Sequence, residues 1–322
     1  MIKASFHERQ YELAANLELI GPAGAYFAPM QVVEEQVGYD VALIPGHAAI
    51  WMQLGIQQIP GGVSTPLQYE TDLTPDVQGP HFKASLFVQY KRPEHMVRRS
   101  AREARDRASQ GGAIPFFRVR FNPDQHGVLL ELEARAGANA VVRYAAPLFH
   151  EMNDLWMRQF TRSVLPNSTF VAPSEAGSPP GCWTYDGSAQ PIFCSSPRRG
   201  ESELSEDVFR GIVRTARSQA RQTEASHLQA LASEVSEIDV TRPSRRAALE
   251  GLPDVSVERV SGRLPAPLTR AGWSQRIRTA APGHPSAAVE AAIDAAVIAS
   301  TAASIGVAWF LADVRTRGTA GE

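Results

Sequence analysis

Residues 84–90, Ala-Ser-Leu-Phe-Val-Gln-Tyr, form a short, mostly apolar run that reads as a strand and leads directly into Lys91. Side chains on a strand alternate with period two, so Gln89 and Lys91 fall on one face. Residues 39–44 read as an earlier strand carrying Asp40. Beside the first, it would aim a carboxylate at the same point. One carboxylate, one amide oxygen and one ammonium at strand ends suit a divalent cation, a water and a phosphate.

The segments around these strands alternate between helix and strand. Residues 6–20 carry Phe6, Gln10, Leu13, Leu17 and Ile20 at helical spacing, and Gly21-Pro22 ends that helix. Strands are expected at 27–34, 39–44 and 84–90. Residues 45–81, rich in Gly and Pro, form an insertion between the last two. A polar, Arg-rich helix follows over 94–109, then an alternating strand at 115–121, a helix from Asp124 to Ala136 and a strand at 139–146. Residues 166–200 read as loop. Residues 205–236 read as helix, residues 241–285 as a linker and the Ala-rich end as a last helix. The expected fold is α/β, a central mixed sheet flanked by helices in the order αβββαβ, spanning 1–200. A mainly helical C-terminal region spans 201–322.

Helix, three strands, helix, strand resembles the core of the PD-(D/E)XK, or restriction-endonuclease-like, nucleases. Phe87-Val-Gln-Tyr-Lys-Arg92 is similar to the Gln-x-Lys variant of its Mrr-type branch. The resemblance covers about residues 1–125. It implies that Asp40, Gln89 and a helix-borne Glu hold Mg²⁺ or Mn²⁺, and that Lys91 orients the attacking water and stabilises charge on the phosphorane. Glu18 is the favoured helix residue, with Glu8, Glu12, Glu34 and Glu35 as alternatives; Val88 or Tyr90 carbonyls would be further hard ligands. The implied activity is metal-dependent hydrolysis of nucleic-acid phosphodiesters, DNA before RNA, in restriction or anti-phage defence. A neutral Gln in place of Glu leaves a second expectation open, a catalytically silent member acting as a binding or assembly subunit. The 49-residue gap from Asp40 to Gln89 requires the 45–81 insertion.

Composition sets limits on this reading. The 322 residues are 43% apolar and 20% charged, which gives a foldable core, and the net charge of −2 excludes a general polycation. Nucleic-acid binding therefore needs a local basic patch. Arg98, Arg102 and Arg105 share one face of the Arg-rich helix, and Arg118 and Arg120 point outward from the next strand, so these five are the expected phosphate contacts. The alternative is a solvated helix with pairs such as Arg99–Glu103.

Cys182 and Cys194 are the only cysteines and match no common zinc spacing, so two reduced thiols in a cytoplasmic protein are expected. Trp183, Tyr185 and Phe193 are expected to pack their loop onto the body, and His150 to be structural. The N-terminus has no apolar signal segment. Residues 295–312 are uncharged over 18 positions but mostly Ala, Ser, Thr and Gly, which reads as a core or dimer helix and not a membrane span. Its small residues, Ala299, Ser300, Ala303 and Ser304, are the expected subunit or partner-protein interface. There is no GxSxG, P-loop or dinucleotide fingerprint.

Overall fold

The computed structural model describes residues 1–20, 26–27, 42–43, 63–65, 81–98, 102–176, 181–194, 198–218, 223–238, 269–280, 286–305 and 307–315. In chain order the elements begin with β1 (Ile2–Lys3), α1 (Glu8–Ile20), β2 (Tyr26–Phe27), β3 (Ala42–Leu43), β4 (Val63–Thr65), β5 (His81–Tyr90) and β6 (Glu94–Met96). Next come α2 (Arg102–Ser109), β7 (Phe116–Arg120), α3 (Pro123–Ala136), β8 (Ala140–Pro147), α4 (Met152–Phe160), β9 (Ser168–Val171) and α5 (Pro173–Ala176). The chain continues through β10 (Cys182–Tyr185), β11 (Ile192–Phe193), β12 (Arg198–Arg199), α6 (Ser205–Ser218) and α7 (Glu224–Ser236). It closes with α8 (Arg270–Ala280), α9 (Ser286–Ser304) and β13 (Ala308–Arg315). The architecture is α/β with mixed strand pairing: β4 and β13 run parallel, and the other described pairs run antiparallel.

Two compact units divide the chain, one formed by 1–21, 88–133 and 142–208, the other by 22–87, 134–141 and 209–322. The first holds a six-stranded sheet in the order β1-β6-β7-β10-β11-β12 and the antiparallel pair β8–β9. Helix α1 buries Tyr11, Ala14, Ala15 and Leu19, at the spacing of one helical face, while Leu13 and Leu17 are only half-buried and Gln10 is exposed. The two alanines let the helix approach closely, so the buried face is rotated from the one expected from its leucines. Phe6, Tyr11, Tyr90 and Phe149 form an aromatic cluster beside it, Tyr11 meeting Tyr90 edge-on at 5.4 Å between centroids. In the second unit α9 packs along α7 and α8, and β13 lies beside β4.

Several expectations are corrected. The single helix over 94–109 is instead β6 followed by α2, because Met96 packs with Ala104 and Phe116 and Glu94 pairs across the ladder with Arg118. The loop expected over 166–200 holds β9 to β12, strands of two to four residues that are too short to display a period. Within it Cys182 and Cys194 form a disulfide and are not free thiols, since the β10–β11 register of Trp183 with Phe193 sets the two cysteines opposite each other at 5.3 Å between Cα atoms. Residues 205–236 are two helices, α7 being capped by the Thr223 hydroxyl. Helix α8 lies within the expected linker. The last helix stops at Ser304, and Ala308–Arg315 is a strand. Ala299 is buried within its own unit and Ser300 accepts the Trp273 indole N–H at 3.3 Å, so these two positions pack inside the chain. Ala303 and Ser304 side chains lie outside the described residues. Among the described residues no helix is long and apolar enough to cross a membrane.

The first unit is tied together by a buried arginine. Arg107 from α2 donates to Asp186 at 2.6 Å, to Thr184 at 3.2 Å and to the Ala113 carbonyl at 3.2 Å, with its guanidinium over the Phe116 ring. Burial raises the Asp186 carboxyl, but the Ser188 hydroxyl and amide, the Arg107 charge and the Ala113 amide outweigh it and hold Asp186 below the usual range. A depressed carboxyl stabilises the fold above its unfolded pKa and loses that contribution as the pH falls through its folded value. Asp186→Asn is therefore expected to lower Tm at pH 7, and the gap to wild type to close below about pH 4, as measured by thermal unfolding across pH.

Candidate functional site

The site is built where β5 ends. Gln89 and Lys91 are both buried and leave the strand on the same side, while Tyr90 points the other way and donates to the Asn16 Oδ1 of α1 at 2.6 Å. The Lys91 amide donates to the Ala145 carbonyl at 2.8 Å, which fixes the backbone of this end against β8. The next amide, that of Arg92, donates to the Glu8 carboxylate at 3.1 Å.

Gln125 joins the two expected side chains. Its Nε2 donates to Gln89 Oε1 at 2.6 Å, and its Oε1 accepts from the Lys91 ammonium at 2.8 Å. The Gln89 Nε2 in turn donates to the Tyr90 carbonyl at 3.1 Å. The start of α3 explains the placement. Asn122 caps the helix by accepting the Gln125 amide at 3.3 Å, and Pro123 fills the first turn. Gln125 then lies on the same helix face as the buried Val128, Leu129 and Leu132. A polar residue at a core position of an amphipathic helix was the signal that sequence reasoning passed over.

The floor of the site is aromatic. Lys91 Nζ lies 5.9 Å from the centroid of the Tyr144 ring, and the Tyr144 hydroxyl is 2.9 Å from His126 Nδ1. Phe121 and Trp183 pack against Tyr144. Burial pulls the Lys91 ammonium below its ordinary pKa, opposed by the Glu8 charge.

The other expected residues are scattered. Asp40, Glu34, Glu35 and Arg99 lie outside the described residues. Glu18 does not reach this point: its carboxylate accepts the backbone amides of Val164 at 2.6 Å and Leu165 at 3.3 Å, about 15 Å along α1 from Glu8 at 1.5 Å per residue. Burial raises its carboxyl, and the two amides oppose that shift. Glu18 is thus a cap for the turn at 165–167, while Glu8 accepts the Arg92 amide at the end of β5 and the Glu12 charge acts on Tyr90 there. Arg98, Arg102, Arg105 and Arg120 are exposed. Arg118 is not: it is 5% exposed and bound to Glu94 and Glu103, so it is no phosphate contact.

For a divalent cation the donor set fits in part. Gln89 Oε1 is a hard oxygen with a second lone pair, and Glu8 is a carboxylate. Among the described residues no group of three or more His, Cys, Asp or Glu is placed to hold a metal ion.

Gln125→Leu is expected to leave Gln89 and Lys91 with unmade buried hydrogen bonds, lowering stability by about 1–3 kcal/mol, measured by denaturant unfolding. Comparisons with protein-family models, with curated proteins and with solved structures found no match.

Proposed function

We propose that this chain is a nuclease that hydrolyses nucleic-acid phosphodiesters, DNA in preference to RNA, with Mg²⁺ or Mn²⁺. The observation that carries the reading is the Lys91 ammonium. It is buried at a strand end, and among the described residues its hydrogen-bond partner is a neutral amide and not a carboxylate. A buried cation without a bonded counter-ion is costly and is best satisfied by an incoming anion. A phosphate supplies both the charge and the acceptor oxygens that its remaining N–H groups require.

Lys91 would bind a non-bridging phosphate oxygen and stabilise the charge that grows there as the phosphorane forms. Gln125 fixes the direction of the ammonium and of the Gln89 oxygen together. The Tyr144 ring and its aromatic neighbours keep bulk water from the back of the site, which strengthens the electrostatics in front. Asp40, Gln89 and the α1 carboxylate of Glu8 would hold the divalent cation, which when bound supplies Lewis-acid activation of water. Arg98, Arg102, Arg105 and Arg120 are exposed cations of the same unit that would meet the substrate backbone, Arg102 and Arg120 exchanging their loose pairs with Asp106 at 3.9 Å and Glu94 at 3.5 Å for phosphates.

The test is cleavage of plasmid DNA and of single-stranded RNA by the purified chain with Mg²⁺, Mn²⁺ or EDTA, beside Asp40→Ala. Cleavage is expected with either metal, to vanish with EDTA and to be lost in Asp40→Ala. A second reading is a silent binding subunit of the same fold, favoured by the neutral Gln89, whose oxygen is already engaged by Gln125. DNA binding with no cleavage under any metal would select it.

A further inference from the structure

The Gln125 amide occupies both functional groups of the Lys91 site at once. Lys91 carries only donors, so the atom of Gln125 that faces it at 2.8 Å is the oxygen, and the donor end is thereby turned to the Gln89 oxygen at 2.6 Å. The oxygen stands against the ammonium as a phosphate oxygen would, and the amide N–H stands against Gln89 as a cation would. An anion approaching Lys91 therefore meets the negative end of this dipole. The contact is also one that can yield. A carboxylate at this position would neutralise the ammonium, whereas a neutral amide satisfies one of its N–H groups and leaves the charge. Gln125 is 8%, Lys91 9% and Gln89 5% exposed, so the three lie at the edge of the core and are not sealed within it. Gln125 sits in the first turn of α3, three residues after the cap Asn122, the position from which a glutamine side chain folds back over the start of its own helix.

We propose that Gln125 is an internal latch: its amide holds the Lys91 ammonium and the Gln89 oxygen in the free chain, and a substrate phosphate displaces it from both. The inference rests on the reading of Lys91 as the phosphate-binding cation. A phosphate wins the exchange because it brings a full charge to a buried ammonium, where the amide brings only a dipole. The displaced side chain rotates toward the first turn of α3, while the Asn122 cap and the buried Val128, Leu129 and Leu132 keep the helix itself in place. Because one amide engages both groups, its departure from Lys91 also removes the donor from Gln89. The Gln89 oxygen is released when the substrate arrives, so phosphate binding is coupled to the availability of that oxygen. In the free chain the same amide satisfies two buried polar groups whose hydrogen bonds would otherwise be unmade. The consequence is a lowered affinity, since every phosphate must first break the latch.

Calorimetric titration of the full chain with inorganic phosphate, without metal, tests the latch by binding alone. Gln125→Ala has no amide to displace and should bind phosphate about tenfold more tightly than wild type, the worth of one hydrogen bond to a charged group. Gln125→Glu keeps the length of the side chain and gives Lys91 a permanent counter-ion, so its phosphate affinity should fall by about tenfold or more. Lys91→Met should bind no phosphate at this site. Side-chain amide NMR with isotope-labelled glutamine reads the same event in the wild-type chain. The Gln125 amide signal, identified by its absence from Gln125→Glu, should shift as phosphate saturates the site. A Gln125→Ala chain that binds phosphate no more tightly than wild type overturns the latch and leaves Lys91 as the phosphate cation. So does a Gln125 amide signal that stays in place while phosphate binds. Binding that survives in Lys91→Met, or no binding in wild type and Gln125→Ala alike, overturns the reading of Lys91 together with the latch.

Discussion

Lys91→Ala is expected to lower metal-dependent cleavage of plasmid DNA by about 10²–10³-fold, the range for removing a charge-stabilising donor aimed at the reacting group. The loss should fall on kcat, because the ammonium matters most once charge has grown on the phosphate oxygens. Stability should move the other way. Lys91 is a buried cation bonded to a neutral amide, and burial holds its pKa below the ordinary value. Its charge therefore opposes folding at neutral pH. Lys91→Met keeps the length and apolar stem of the side chain without that charge. It is expected to match or exceed the wild-type Tm while remaining as inactive as the alanine variant. An inactive but stabilised Lys91→Met separates a functional lysine from a structural one. A variant that loses stability and keeps cleavage would remove Lys91 from the mechanism.

The two residues at the centre of this experiment were visible in the sequence, and their neighbours show why the rest was not. The run 84–90 is long enough to declare itself a strand, and period two then fixes Gln89 and Lys91 to one side. β7, α3 and β8 were visible for the same reason, each being five or more residues with clear alternation or helical spacing. β11 and β12 are two residues each, and β12 is Arg198-Arg199, with no apolar signal at all. They exist because β10 offers an edge, which is a tertiary fact. The disulfide follows from that pairing and not from cysteine spacing. Gln125 lies 34 residues from Lys91 and meets it only after the chain has passed through β6, α2 and β7. The choice among Glu8, Glu12 and Glu18 depends on where along α1 the end of β5 falls, which periodicity along one helix does not encode.

Arg118 carries the second large effect, and it reverses the role its alternation suggested. β7 lies between β6 and β10, with Phe116 to Val119 all buried, so both faces of this strand are covered and an arginine there needs carboxylates. Glu94, its cross-strand partner, accepts from Nε at 2.7 Å, and Glu103 of α2 binds Nη1. Arg118→Ala takes the shared buried cation from Glu94 and Glu103, leaving only the more distant Arg120 at 3.5 Å from Glu94, and opens a cavity. It is expected to cost about 3–5 kcal/mol, as for other buried pairs with one partner removed, seen as a large fall in the denaturant midpoint. Arg118→Lys should recover only part of this, since one ammonium does not reproduce the forked geometry that serves both carboxylates. Arg120→Ala, two residues on and exposed, should change stability by no more than about 0.5 kcal/mol, while weakening DNA binding and flattening its salt dependence. The pH dependence supplies an internal control. Burial raises the Glu103 carboxyl, and its own backbone hydrogen bond, Arg118 and Arg120 outweigh that and hold it below the ordinary range. The Arg118 contribution is therefore complete above the unfolded carboxyl pKa and disappears as the pH falls through the depressed folded value. The stability gap between wild type and Arg118→Ala should be widest near pH 7 and narrow below about pH 4. A gap that stayed constant to pH 3 would mean that Arg118 acts through packing alone.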